Sequence, residues 1–277
     1  MLCNIQNKIS INLPDEYSNW GESYNNDWNK DSGEAYEMSN FIKLTKNRNV
    51  LFDIGAHVGF YSYVFISNTS LKNLENDNLK ESYCFEPSAD GMNHMVKILN
   101  HNKWLERIKL FPFFVGDKCD SVECLLEAKG KTLLVKYEAA GYDHQIQYDG
   151  RKPAIKDMIT IDAFTNAYKE EKDSKSNVDT LKIDVEGYEV KVLLGAETMI
   201  WEFKPLIFLE IHNALLPSYN NDSMDIYNIL KNKMNYKIFD IMMNEVSDIA
   251  SYKKLFNITN EVRVICIHKG DNINDRI

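Results

Sequence analysis

Three carboxylate residues lie at or just after the ends of short apolar runs. If these runs are parallel strands, their ends are where such sheets bind small molecules. Asp53 lies in VLFDI, Glu86 ends SYCFE, and Asp117 follows FFVG. Ligands of open α/β sheets bind outside the carboxyl ends of the strands, so these side chains are expected along one edge. There Asp53 would attract an ammonium group, Glu86 would accept ribose hydroxyls, and Asp117 would accept an adenine amine. Together these three groups describe S-adenosylmethionine.

The turn after Asp53 has the residue types that a nucleotide-binding turn needs. Gly55 lets the backbone turn tightly and approach a ligand beside Ala56, and Gly59 lets the following helix approach the sheet. A dinucleotide-binding turn has a further glycine at the position of His57, where helix N–H groups bind a pyrophosphate. Because that glycine is missing and a carboxylate precedes the turn, a dinucleotide oxidoreductase is disfavoured.

A second group of polar residues lies at the ends of two later apolar runs. In VDTLKIDVEGYE, Lys182 and Asp184 fall on one side of a predicted central strand, and the next run ends LEIH with Glu210 and His212. Packing does not explain charges at the end of a parallel central strand, which is normally apolar. We predict Asp184, Glu210 and His212 as catalytic residues, because a hydroxyl needs a base to become a good nucleophile.

Two alternatives remain open for this second group. Two carboxylates and one imidazole are an acceptable partial site for a divalent cation, so Asp184, Glu210 and His212 could hold one. Lys182 could instead pair with Asp184 and hold it in place.

Short β-branched runs alternate with helical patterns from residue 49 onward, which is typical of a doubly wound parallel sheet. The predicted strands are residues 50–54, 82–86, 108–115, 178–185, 206–211, 236–241 and 262–268. The predicted helices are residues 58–67, 89–101, 160–171, 189–200 and 223–234. Residues 121–137, where SVECLLEA and TLLVKYEA flank a Lys-Gly-Lys turn, are predicted to form an inserted β-hairpin. The fold expected is therefore α/β, Rossmann-like and mostly parallel.

Composition narrows the class of protein further. The 277 residues have a formal net charge of −9, which gives no basic field for nucleic acid. No apolar run is long enough to span a membrane, and the five scattered cysteines favour a reduced, cytoplasmic setting. We expect the aromatic-rich residues 1–40 to form a lid or a homodimer arm, and residues 41–277 to form the main domain.

The motifs together resemble the FkbM-type class I methyltransferases. FDIGAHVGFYS is similar to the first motif of that family, CFEPS to the second, and TIDAF with VDTLKIDVEGYEVKVLLGAE to its most distinctive signature. The similarity continues through KPLIFLEIH and covers approximately residues 41–241. One departure is the Asn235–Tyr236 pair, where the family commonly has Gly-Tyr before a late strand.

This resemblance implies a seven-stranded sheet, S-adenosylmethionine as methyl donor, and transfer to a hydroxyl of a sugar or another small metabolite. Residues that match the family's cofactor-binding motifs are Asp53, Gly55, Ala56, Gly59 and Glu86. The identity of the acceptor does not carry over, because families on one fold vary it through loops. The alternatives are an N-methyltransferase and a non-catalytic S-adenosylmethionine-binding or scaffold protein.

Overall fold

The fold is an α/β arrangement around one large sheet. The computed structural model describes residues 1–30, 32–69, 79–125, 153–171, 177–257 and 259–271. The strands within these residues are β1 (Leu2–Ile5), β2 (Ile9–Asn12), β3 (Val50–Ile54), β4 (Glu81–Phe85), β5 (Ile108–Phe111), β6 (Phe114–Val115), β7 (Asp120–Leu125), β8 (Pro153–Ile159), β9 (Thr180–Ile183), β10 (Leu206–His212), β11 (Tyr236–Asp240) and β12 (Glu261–His268). The central sheet has seven strands in the order β11-β12-β10-β9-β3-β4-β5.

Strand directions confirm the predicted fold class. Strands β5, β4, β3, β9 and β10 run parallel to one another. Strand β12 is antiparallel to both β10 and β11. The carboxyl ends of β3, β4, β9 and β10 therefore meet at one edge of the sheet, where nucleotide-binding α/β proteins hold their ligands.

Helices cover both faces of this sheet. They are α1 (Ser18–Asp27), α2 (Gly33–Thr45), α3 (Phe60–Ser67), α4 (Ala89–Asn102), α5 (Ile161–Glu171), α6 (Glu189–Gly195), α7 (Glu197–Phe203), α8 (Ser223–Tyr227) and α9 (Ile249–Leu255). Alternation along β3 sends Phe52 into one buried cluster and Leu51 into the other, which also contains Phe41 of α2 and Phe65 of α3. Asp53 shares the face of Leu51, so its side chain lies beneath α3.

Three predicted elements are broken in the structure. The single strand predicted over residues 108–115 is wrong, because β5 belongs to the central sheet and β6 to a separate sheet with β8 and β7. Pro112 lies between them, and proline has no N–H group to donate to a strand ladder. The helix predicted over residues 189–200 is two helices, since Gly195 packs against the backbone of Gly116 and Ala196 leaves helical geometry with φ −113°.

The helix predicted over residues 223–234 also changes character. It begins as α8 and continues as a wider π-helical segment over Asn228–Lys233. Asparagine at 228 and 232 is a weak helix former, which is consistent with departure from regular α-helix there.

Part of the predicted hairpin over residues 121–137 lies outside the described residues. Within them, β7 pairs antiparallel with β8, so that Asp120 lies opposite Met158 and Leu125 opposite Pro153. Strand β8 was not among the predicted strands.

The residues before 41 pack against the main domain. Strands β1 and β2 pair with each other, and Tyr24 of α1 lies with its ring 3.8 Å from the ring of Phe60 at the start of α3. Met38 of α2 is fully buried. A lid or dimer role for this segment stays a prediction.

Among the described helices, none has both the length and the apolar character needed to cross a lipid bilayer.

Candidate active site

The turn after β3 is held by backbone contacts that only glycine permits. Gly55 has φ +77°, and a β-carbon on it would lie 1.7 Å from the carbonyl oxygen of Asp184. Its N–H donates to the carbonyl of Phe85 over 2.9 Å. Gly59 has φ +82°, and a β-carbon there would meet Met95 at 3.0 Å. The turn is therefore fitted closely to the ends of β4 and β9 and to α4.

Asp53 is buried beside this turn. Its carboxylate accepts a 2.6 Å hydrogen bond from the hydroxyl of Ser62 in α3. Burial raises the pKa of Asp53 to about 6, although the Ser62 hydrogen bond and the Lys182 ammonium act in the opposite direction. Asp53 thus contributes negative charge at neutral pH from beneath the turn.

Glu86 links the turn to the start of α4. One carboxylate oxygen accepts the N–H of His57 and the other accepts the N–H of Ser88, each over 2.8 Å. His57 has φ +50°, a left-handed conformation that is uncommon outside glycine. Burial raises the pKa of Glu86. Each oxygen keeps a lone pair that could accept a ribose hydroxyl.

Asp117 follows β6 of the smaller three-stranded sheet, so its predicted position at the end of a central-sheet strand is wrong. Its carboxylate accepts a 2.9 Å ion-paired hydrogen bond from Lys191 of α6. Both side chains are about one quarter exposed, at 27% and 28%, so a ligand can reach Asp117. Contact with an adenine amine stays a prediction.

On the other side of the turn, a buried ammonium group faces three carboxylates. The Lys182 Nζ lies 3.7 Å from Glu37, 3.7 Å from Asp184 and 3.8 Å from Glu210. The Lys182 side chain is 1% exposed, and its Nζ has no hydrogen-bond partner among the described residues. Asp184 is the open member of the group, with a side chain that is 33% exposed.

Arg263 of β12 closes the buried side of this group. Its guanidinium contacts Glu210 at 2.6 Å and Glu37 at 3.2 Å. Glu37 also accepts a 2.8 Å hydrogen bond from the hydroxyl of Tyr61. Helix α2, helix α3 and strand β12 therefore all hold groups that surround Lys182.

His212 lies at the end of β10 with carboxylates on both ring nitrogens. Its Nδ1 is 2.8 Å from the fully buried carboxylate of Glu189, at the start of α6. Its Nε2 lies 3.4 Å from Glu186 and 3.9 Å from Asp184. Glu186 has φ +52° and a side chain that is 77% exposed. The imidazole is thereby oriented toward Asp184.

These contacts separate the protonation states of the three predicted catalytic residues. Burial and the Asp184 charge raise the pKa of Glu210 to about 8, whereas Lys182 and Arg263 act in the opposite direction. Burial opposes ionisation of Asp184, but Lys182 and His212 keep its pKa below the ordinary value. Burial also opposes the cationic form of His212, but Glu189 and Glu186 raise its pKa to about 9. Asp184 is thus the ionised, accessible base at neutral pH.

The ligand atoms of Asp184, Glu210 and His212 lie within 4.8 Å of one another, a spacing that suits a divalent cation. Lys182 and Arg263 nevertheless already face the two carboxylates with positive charge. A divalent cation does not fit between these groups without strong repulsion from Lys182.

Three charged residues of this site were missed in the sequence. Glu37 and Arg263 lie outside the motifs, and Glu189 lies inside one as an apparent helix-start residue. A signal for Glu37 exists in retrospect, because it shares one helix face with the buried residues Phe41 and Leu44. A carboxylate in an apolar stripe indicates a buried partner.

Several solved structures of methyltransferases are similar to this chain at low sequence identity. A methyltransferase FkbM from Methylobacillus flagellatus KT is 16% identical, with 79% of this chain and 43% of that chain covered and a TM-score of 0.47. A putative rRNA methylase from Clostridium thermocellum is 8% identical, with coverage of 88% and 99% and a TM-score of 0.45. A methyltransferase from Geobacter sulfurreducens is 12% identical, with coverage of 93% and 91% and a TM-score of 0.40. This chain spans less than half the length of the Methylobacillus protein.

No protein with a curated description matches the chain. Residues 53–238 match the methyltransferase FkbM domain, which is more than half of the chain. The matched stretch contains the glycine turn, Glu86, Asp184, Glu210 and His212, whereas Glu37 and Arg263 lie outside it. The chain belongs to the FkbM family of S-adenosylmethionine-dependent methyltransferases.

Proposed function

We propose that this protein transfers a methyl group from S-adenosylmethionine to a hydroxyl group of a sugar or another small metabolite. The observation that carries the proposal is the backbone contact between Gly55 and Asp184. It brings the predicted methyl-donor turn against an ionised carboxylate that solvent can reach. A methyltransferase for alcohols needs this proximity of a donor and a base.

The proposed donor site uses the residues predicted from sequence. Gly55, Ala56 and Gly59 form the turn, Glu86 accepts the ribose hydroxyls, and Asp117 accepts the adenine amine. Asp53 acts through its charge on the ammonium group rather than by direct contact, because its carboxylate is buried against Ser62. S-adenosylmethionine supplies a methyl group that is already activated by its sulfonium.

The residues of this chain then move one proton. As the acceptor oxygen bonds to the methyl carbon and the carbon–sulfur pair leaves with sulfur, the hydroxyl proton passes to Asp184. His212, whose pKa is raised to about 9, is a cation at neutral pH and stabilises the Asp184 charge before transfer. Because the pKa of Asp184 is low, it is a weak base that acts mainly as the hydroxyl loses its proton in the transition state.

Transfer to nitrogen is a second candidate. The exposed carboxylates of Asp184 and Glu186 would bind an acceptor that carries an ammonium group. Such an acceptor must lose a proton before it can attack. A non-catalytic cofactor-binding role is less well supported, because it gives no reason for an ionised carboxylate beside the turn.

The proposal includes no divalent cation, so full activity in EDTA is the expected result. We also propose that the protein works in a reducing, cytoplasmic compartment. In support, Cys3, Cys84, Cys119 and Cys266 are free thiols within the described residues. A homodimer through the N-terminal segment stays a prediction.

Incubation with methyl-labelled S-adenosylmethionine and fractionated host metabolites tests the proposal. We expect label in a small-molecule or glycan fraction, in an O-methyl group identified by mass spectrometry. Label in an N-methyl group would select the second candidate. Cofactor binding without label in any fraction would favour the non-catalytic role.

A further inference from the structure

The cluster of Asp184, Glu210 and His212 has the composition of a metal site but includes a fixed positive charge. Its three ligand atoms lie within 4.8 Å of one another. Oxygen and imidazole ligands at this spacing commonly bind a divalent ion. In this chain Lys182 reaches the same two carboxylates from the buried side.

The ammonium of Lys182 faces two carboxylates of the cluster and, in addition, the buried carboxylate of Glu37. It lies 3.7 Å from Asp184 and 3.8 Å from Glu210, and has no hydrogen-bond partner among the described residues. No hydrogen bond within the described residues therefore neutralises the charge of this ammonium group at closer range. It acts on the two carboxylates together, as a shared counter-ion.

Surrounding groups prevent this ammonium from moving away. The Lys182 side chain is 1% exposed, and its Nζ lies 4.8 Å above the ring of Tyr61. Behind it, Glu37 lies 3.7 Å from the Nζ and is itself held by the Tyr61 hydroxyl and by Arg263. An ion bound by Asp184 and Glu210 would therefore sit beside a positive charge that has no route to solvent.

We propose that Lys182, held in place by Glu37, is an internal cation that takes the charge role of a metal in this cluster, so that the site acts without a divalent ion. Glu37 is then a positioning residue, and it comes from α2, outside the stretch that matches the family. The catalytic meaning of this inference rests on the proposed function. The inference that the Lys182 ammonium supplies positive charge in place of a metal does not depend on that function.

Binding of Mn²⁺ to the full chain tests the inference without cofactor or acceptor. Electron paramagnetic resonance counts free and bound Mn²⁺ for the wild type, for the single variants Lys182→Met and Asp184→Asn, and for the double variant. We expect no wild-type binding at this cluster up to about 1 mM Mn²⁺, a weak limit for protein calcium and manganese sites. Lys182→Met, which keeps side-chain length without charge, should bind about tenfold tighter or more. The added Asp184→Asn should remove that gain.

Lys191→Met is the matched control, because Lys191 also pairs with a carboxylate, that of Asp117, outside this cluster. It should leave Mn²⁺ binding unchanged. Wild-type Mn²⁺ binding that Asp184→Asn abolishes would overturn the inference, and so would a folded Lys182→Met variant that gains no binding. If Lys182→Met does not fold, the wild-type measurement still decides. Failure of the proposed function would instead appear as absent binding of S-adenosylmethionine in calorimetry, whatever the Mn²⁺ result.

Discussion

The α-carbon of Gly55 packs against the carbonyl oxygen of Asp184, so the two halves of the site share one backbone contact. A β-carbon at residue 55 would lie 1.7 Å from that oxygen. The Asp184 N–H in turn donates to the carbonyl of Ile54 over 3.0 Å. The position of Asp184, the proposed base, is thereby tied to the shape of the turn that is proposed to bind the methyl donor.

Gly55→Ala should disrupt both halves of the site. The new methyl group cannot fit beside Asp184, and φ +77° is strained for alanine. We expect a loss of stability of about 3 kcal/mol or more, and loss of S-adenosylmethionine binding in calorimetry. Gly33→Ala, at the start of α2 with its nearest neighbour 3.4 Å away, is the control and should bind normally. Normal binding by Gly55→Ala would show that the turn does not hold the donor.

Glu37→Gln should weaken the fold far more than its neighbour Glu34→Gln. Glu37 is 1% exposed against Lys182, whereas Glu34 is 48% exposed and lies 3.6 Å from the Arg263 guanidinium. Breaking a buried ion pair costs about 3 kcal/mol or more, and a surface change costs within about 0.5 kcal/mol. Urea unfolding of the two variants measures the difference. Equal midpoints would mean that Glu37 does not support the buried ammonium.

Glu189→Gln should lower the pKa of His212. Burial alone would lower this pKa, and the Glu189 hydrogen bond is the main reason that it stands at about 9. We expect a fall of about 1 to 2 units in an NMR titration of the imidazole. Glu186→Gln removes a carboxylate that is 77% exposed, so solvent screening should make its effect smaller. An equal fall in both variants would contradict the orienting role of Glu189.

The stability that Glu210 and His212 contribute should decrease as the pH rises from neutral to about 9. The pKa of Glu210 is raised from 4.5 to about 8, and the pKa of His212 from 6.5 to about 9. Both groups bind protons more tightly in the folded state. Their contribution to stability is therefore complete below the pKa of the unfolded chain, and it is lost as the pH rises through the pKa of the folded protein. A change of about 1 kcal/mol moves the Tm of a domain this size by about 2–4 °C. Burial lowers the pKa of Lys80 from 10.5 to about 7, so that group acts in the opposite direction over this range. The comparison of wild type with Glu210→Gln removes the Lys80 contribution, and the variant should lose less stability as the pH rises. An equal pH dependence of the Tm in the two proteins would contradict the raised pKa of Glu210.

Local sequence patterns were sufficient for the central sheet and for the glycine turn at its edge. Strand β3 matches its predicted bounds because an apolar run ends there in a glycine turn, and Glu86 falls where strand β4 ends. These features are encoded by neighbours in sequence. The break at Pro112 was also readable, because proline cannot complete a strand ladder, but the apolar residues on both sides masked it.

The ion-pair network could not be read in the same way. Lys182 pairs with Glu37 across 145 residues of chain, and Arg263 pairs with the same Glu37 across 226 residues. No periodic pattern specifies such pairing. The sequence indicates that a lysine and an aspartate share one side of strand β9. Only the packing of α2 and β12 on that side determines which charges surround them, and hence which acid is ionised.

Methyl transfer by Asp184→Asn is the most direct test of the central claim that Asp184 is the acceptor base beside the donor turn. Calorimetry with S-adenosylmethionine and turnover of the identified acceptor should be measured on the same preparations of wild type and variant. We expect unchanged cofactor affinity and a loss of kcat of about a hundredfold or more. Full turnover by Asp184→Asn, with cofactor bound as in the wild type, would contradict it.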